Sequence, residues 1–339
     1  MMLKDVSRRR SPPAGFNCGE RIITSEDGVK SVVFHCNLRF PSDESTPAST
    51  NTAILKFNCR EPSCGVLVQG EEAVTFSDED YAVDPNFFDE GYSLAGMTGF
   101  KVWTGSRFLI EALAWPSSEV DCQRLMEIQN LLSNGARVIE LGAGIGTVGT
   151  YLAAVGAQVL LTDLPTLVEN AIDCNLSINA KITAADHNMC TYENDEIPSW
   201  MESHGCRIFN GWAASAALDW SIAVSDQLTK LQSESIDLIV ASDVVFLVDM
   251  LNSLLDTVAI LFESSSNNNP SFVLSFQRRD AGDGEESASF TTVNRIISIV
   301  EGRGWKLDCL AWRSVIVNKE KDGKVFQDES EVFIFEISP

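Results

Sequence analysis

The chain has 339 residues, 45% hydrophobic and 22% charged, the balance of a globular protein with one large or two modest domains. Its net charge of −23 argues against duplex nucleic acid and anionic membranes as partners, and would steer a basic protein toward the surface. No apolar run is long enough to span a bilayer, and Arg8-Arg9-Arg10 is not followed by the apolar segment of a signal peptide. Nine scattered cysteines without a close CxxC pair predict reduced thiols rather than a zinc site, and hence a cytoplasmic or nuclear protein.

Residues 1–19 read as a flexible tail. Residues 20–91 read as a β-rich region: Val32, Phe34, Cys36, Leu38 and Phe40 alternate along one strand, and Ser25–Gly28 turns it back to the run Arg21–Thr24. Further strand-like runs fall at 53–59, 66–69 and 73–76. The acidic stretch 77–90 then reads either as a solvated linker or as the rim of a substrate cleft. The remaining domain is placed at 92–339. Trp103 precedes a helix over 106–114, where an indole either packs over a bound nucleoside or joins the core. A second amphipathic helix is predicted over 121–132.

The pattern over 137–163 is strand, glycine turn, helix and strand, one βαβ unit of an open parallel sheet. Gly142, Gly144 and Gly146 permit a tight turn and close approach of a ligand to the backbone. Asp163, at the end of the second strand, can accept hydrogen bonds from ribose hydroxyls. Gly144-x-Gly146-x-x-Gly149 also satisfies the dinucleotide fingerprint. Glu140 argues the other way, because a carboxylate there opposes a phosphate and favours the amino group of S-adenosylmethionine.

Pro165 opens a helix to about residue 178 that carries Asn170, Asn175 and Asn179, followed by a polar, irregular insertion over 180–210. A small-residue strand over 213–219 ends in Leu218-Asp219-Trp220, an acid–aromatic pair suited to an adenine, or else a cap and a core tryptophan. The apolar run 236–242 is a buried parallel strand stopping at Asp243. Helices are predicted over 247–262 and 289–302 and a strand over 272–276. The final strands, 305–313 and 332–337, flank a polar loop over 318–331. Alternating β and α closed by a β-hairpin makes an α/β three-layer sandwich on a mostly parallel sheet.

With Val102-Trp103, Glu140-Leu141-Gly142-Ala143-Gly144-Ile145-Gly146, Thr162-Asp163-Leu164-Pro165, Leu218-Asp219-Trp220 and Asp243-Val244-Val245-Phe246 in place, residues 92–337 resemble the Rossmann-like, seven-β-strand S-adenosylmethionine-dependent methyltransferases. More narrowly, they resemble the non-histone protein lysine methyltransferases. The resemblance implies S-adenosyl-L-methionine as donor, held by Trp103, Glu140, Gly142, Gly144, Gly146, Asp163, Asp219 and Trp220, and a lysine of a protein as acceptor. It also implies that Asp243 and Phe246 line the transfer channel, Asp243 orienting the ammonium and Phe246 packing on the lysine stem. The long insertion departs from the family pattern, and residues 1–90 match nothing in it. Methylation of a small molecule or another side chain, and a non-catalytic module on the same fold, are the alternatives.

Overall fold

The computed structural model describes residues 20–24, 30–39, 50–59, 99–114, 122–186, 196–227, 236–245, 248–265, 269–278, 291–321 and 324–339. The expected tail at 1–19, the runs at 66–69 and 73–76, the acidic stretch 77–90 and Phe246 lie outside the described residues.

Three strands, β1 (Glu20–Thr24), β2 (Lys30–Arg39) and β3 (Thr50–Cys59), form an antiparallel sheet in the order β1-β2-β3. Helices α1 (Thr104–Ala114) and α2 (Gln123–Ser133) follow. The βαβ unit is β4 (Arg137–Leu141), α3 (Thr147–Val155) and β5 (Gln158–Asp163). Segments Pro165–Leu167, Val168–Ile172 and Asp173–Ala185 run on as one helix, α4, with a π turn at Val168–Ile172. Then come β6 (Cys206–Ile208), β7 (Gly211–Ala217), the short α5 (Val224–Gln227), β8 (Leu238–Ser242), α6 (Val248–Ser264), β9 (Ser271–Gln277), α7 (Val293–Gly302), β10 (Lys306–Lys321) and β11 (Lys324–Ser338). Among the described residues, no helix is long and apolar enough to cross a membrane.

The large sheet has the order β10-β11-β9-β8-β4-β5-β7-β6. Its five central strands are parallel, and β11 and β6 run antiparallel to their neighbours at either side. Alternate residues of β8 supply two cores. Leu238 and Val240 join one containing Leu109, Ile128, Val148 and Leu176, whereas Ile239 and Ala241 join another containing Leu254, Val258 and Ile296. Helices α1 to α4 thus cover one face and α6 and α7 the other, the expected three-layer α/β sandwich.

Three expectations need correction. Among the described residues this sheet has eight strands rather than seven, with β6 lying inside the expected insertion. Helix α4 continues to Ala185 instead of stopping near residue 178, burying Asn179 and Thr183. The polar loop at 318–331 is instead the extension of β10 and β11, paired from Arg313↔Val332 to Lys321↔Lys324. A ladder made by main-chain groups leaves no trace in an apolar pattern. The β1–β3 sheet also shares a core with the large domain: Val32, Phe34, Leu55 and Phe57 belong to the cluster that holds Val148, Tyr151 and Ile172.

Candidate functional site

The parallel strands end along one edge, the usual ligand position in open α/β sheets. Leaving β4, Gly142, Gly144 and Gly146 all adopt left-handed backbone, with φ of +70°, +58° and +82°. The turn is tied to β5, since the N–H groups of Gly142 and Ala143 both donate to the Thr162 carbonyl. Side chains are excluded as well as strained here. A Cβ on Gly142 would lie 2.5 Å from Val244 Cγ1 and 3.2 Å from the Trp220 ring, and one on Gly144 would lie 3.0 Å from the Gly99 carbonyl oxygen.

Asp163 closes the other side of the turn. Its Oδ2 accepts the Gly144 N–H at 2.7 Å and its Oδ1 the Leu164 N–H at 2.7 Å. Burial holds this carboxyl above the usual carboxylate range, against the two N–H groups, which lower it. Beneath the turn, Glu140 is 1% exposed. Its Oε2 accepts the Gly149 N–H in the first turn of α3 at 2.8 Å, and its Oε1 has no hydrogen-bond partner among the described residues. Burial pushes the Glu140 carboxyl up to about 8; Gly149 opposes that shift and the Asp163 charge adds to it.

Beyond β7, Asp219 Oδ1 accepts from the Ser221 N–H and hydroxyl at 2.8 and 2.7 Å, folding the chain so that Trp220 reaches Gly142. The buried Trp220 Nε1 also has no partner among the described residues. Trp103 is half-buried at the entry to α1, its carbonyl accepting from the Arg107 N–H.

Asp243 lies at the same edge, directly after β8. Its φ is +55° and it is 3% exposed. One carboxylate oxygen accepts the Gly105 N–H at the start of α1, and the other accepts the Gln277 N–H at the end of β9, at 2.8 Å. Ser275 Oγ donates to the Gly105 carbonyl and the Ser106 and Ser242 hydroxyls pair, both at 2.8 Å, so α1 is fastened to β8 and β9 at the strand ends. Of the residues expected from sequence, Gly142, Gly144, Gly146, Glu140, Asp163 and Trp220 converge on one turn. Asp219 and Asp243 support neighbouring segments.

The lysine methyltransferase family pattern matches residues 93–206 and 200–295, more than half of the chain. The chain belongs to the lysine methyltransferase family. It is similar to mouse (Mus musculus) EEF1A lysine methyltransferase 3, at 36% identity over 28% of this chain and 39% of that protein. It is also similar to the protein-lysine methyltransferase METTL21E of Bos taurus, at 33% identity over 43% of this chain and 41% of that protein. The matched stretch thus spans about two fifths of the length of these relatives.

A methyltransferase family implies a methyl donor, and the turn fits S-adenosylmethionine. It offers glycine backbone without Cβ atoms at Gly142, Gly144 and Gly146 beside the Trp220 ring and, among the described residues, a buried Glu140 carboxyl oxygen and a buried indole N–H with no partner. Sequence reasoning missed three supporting residues. Gly149 lets Glu140 approach, since a Cβ there would lie 2.4 Å from Glu140 Oε2. Gly105 does the same for Asp243, and Asn175 donates to the Ile145 carbonyl inside the turn at 2.9 Å. The glycine spacing could have indicated Gly149; the contacts of Gly105 and Asn175 are too distant in sequence to be read.

Proposed function

We propose that this protein transfers methyl groups from S-adenosylmethionine to a lysine side chain of a protein. The observation that carries the reading is the left-handed Gly142–Gly146 turn, enclosed by Asp163 and the Trp220 ring, in a chain of the lysine methyltransferase family. Asp163 and the glycine turn would hold the ribose side of the donor, Trp220 the adenine and Glu140 the amino group. When bound, the donor supplies a methyl carbon on a cationic sulfur, which leaves with the bonding pair. The chain's own task is therefore alignment and exclusion of water.

A lysine acceptor must arrive neutral, and moving its pKa from about 10.4 to pH 7 costs about 4.6 kcal/mol. Negative charge overall draws a basic protein in but does not favour deprotonation. Asp243 suits a positioning role better than contact with the ammonium, because it is almost fully buried and both oxygens already bind backbone N–H groups, whereas Asp163 is partly exposed. It fixes the start of α1 beside the strand ends, and Phe246 is assigned to the acceptor channel by its place in the family motif. Free thiols at Cys122, Cys174, Cys206 and Cys309 support a reducing compartment, the cytoplasm or nucleus.

The test is incubation of the full chain with methyl-labelled donor and a cell extract, with labelled species resolved by mass spectrometry. The expected result is a methyl mass increment on lysine of a protein. Label on a small molecule or another side chain would replace the acceptor. Binding of S-adenosylhomocysteine without any transfer would point to a non-catalytic module.

A further inference from the structure

Asn175 and Asn179 lie one turn apart on α4 and are almost completely buried, at 1% and 0% exposure. Two of the three side-chain bonds of each go to β3. Together the two asparagines bond the side of β3 turned away from β2, the outer edge among the described strands. Asn175 Oδ1 accepts the Asn58 N–H at 2.8 Å and its Nδ2 donates to the Asn58 carbonyl at 3.2 Å. Asn179 repeats this on Lys56, accepting the N–H at 2.9 Å and donating to the carbonyl at 2.8 Å. Each amide presents to β3 the donor and acceptor that a neighbouring strand would, so an edge strand of the small sheet is satisfied by a helix.

The two amides differ in their remaining bond. Asn179 Nδ2 donates to the Asn175 carbonyl of its own helix at 2.8 Å. Asn175 Nδ2 donates instead to the carbonyl of Ile145, between Gly144 and Gly146, at 2.9 Å. The π turn at Val168–Ile172, three residues before Asn175, runs beside the same segment, where a Cβ on Gly146 would lie 3.7 Å from Ile172 Cγ2. A π turn offsets the helix by one residue and so re-aims the side chains that follow it.

We infer that Asn175 is a positioning residue for the donor site, holding the glycine turn to the edge of β3 so that the N-terminal sheet sets the geometry in which the donor binds. This rests on the reading of the turn as the S-adenosylmethionine site. The N-terminal sheet is then part of the site's scaffold rather than a separate recognition module.

Asn179 provides an internal control, since each asparagine makes three such bonds and only one of them reaches the turn. In the full chain, Asn175→Ala and Asn179→Ala should lower the melting temperature by similar amounts. Calorimetry with S-adenosylhomocysteine should show affinity falling about tenfold for Asn175→Ala, the scale of one buried hydrogen bond, and less than about threefold for Asn179→Ala. Equal losses, or no loss, in two folded variants overturn the inference. Failure of the wild-type chain to bind S-adenosylhomocysteine would instead overturn the donor reading itself. If Asn175→Ala does not fold, hydrogen exchange on the wild-type chain decides. By reciprocity of linkage, S-adenosylhomocysteine should slow exchange of the Asn58 N–H, and unchanged exchange there overturns the coupling.

Discussion

The carboxylate of Asp243 accepts the backbone N–H of Gly105, 138 residues earlier in the chain, at the first turn of a helix it does not belong to. The fit leaves no space for a side chain, since a Cβ on Gly105 would lie 2.6 Å from Asp243 Oδ2 and 2.8 Å from its Cγ. One residue thus caps α1 and, through Gln277, fixes the exit of β9. Neighbouring motif residues are positioned by the same contact that blocks substitution.

Asp243→Ala should therefore leave two buried N–H groups without their acceptor and cost about 2 to 6 kcal/mol of stability, at about 1 to 3 kcal/mol for each unsatisfied group. Gly105→Ala should cost about 1 to 3 kcal/mol by displacing the same carboxylate. Denaturant unfolding measures both. A folded Asp243→Ala protein of unchanged stability that has lost only methyl transfer would return Asp243 to direct handling of the acceptor.

The cover over Gly142 makes a second prediction. Trp220→Ala should weaken binding of S-adenosylhomocysteine by about 1 to 3 kcal/mol through lost ring packing. Trp220→Phe should recover part of that loss, keeping an aromatic face but not the indole N–H. Gly142→Ala combines a left-handed backbone with a 2.5 Å clash against Val244, so it should weaken binding more than either. Isothermal calorimetry on the three variants gives the order, and an intact affinity for Gly142→Ala would remove the turn from the site.

The sequence carried the site where chemistry is local and lost it where chemistry is assembled across the chain. Gly142, Gly144, Gly146 and Asp163 lie within one βαβ unit, whose periodicity and glycine spacing dictate the turn. Trp220 was legible from its place after a small-residue strand. Asp243 was legible as a motif residue, but its partners Gly105 and Gln277 come from two other elements that no spacing rule connects. The buried asparagines on α4 read as polar residues in a helix, because their partner is the main chain of β3, more than 100 residues earlier. For the same reason β1 to β3 read as a separate region, although their apolar residues pack into the domain's own core.

Gly149 and Glu140 should behave as a unit. Gly149→Ala would place a Cβ 2.4 Å from Glu140 Oε2 and 2.6 Å from Leu161 Cγ, in a site with no slack. The expected cost is about 1 to 3 kcal/mol from overpacking, together with loss of the hydrogen bond to Glu140. Gly149→Ala in a Glu140→Ala background should cost less, because one of the two obstacles is gone. The coupling energy from this double-mutant cycle checks the contact, and strict additivity would deny it.

Stability should also depend on pH through Glu140. Its carboxyl lies at about 8 in the folded chain against an ordinary value of 4.5, because burial opposes the charge. Below about 4.5 the group is protonated in both folded and unfolded chains, and its contribution is fully present. Between 4.5 and about 8 the unfolded chain binds fewer protons than the folded one, so stability falls as pH rises. The slope due to this one group is at most about 1.4 kcal/mol per pH unit and levels off above the folded value. Asp163, also raised by burial, adds a change of the same sign. Glu140→Gln removes the titrating proton while keeping an acceptor for the Gly149 N–H. Unfolding free energies of the wild-type and Glu140→Gln chains, measured from pH 5 to 9, should differ by an amount that shifts in favour of the variant until about pH 8 and is constant above it. A difference independent of pH across that range would mean that Glu140 is already ionised in the folded protein.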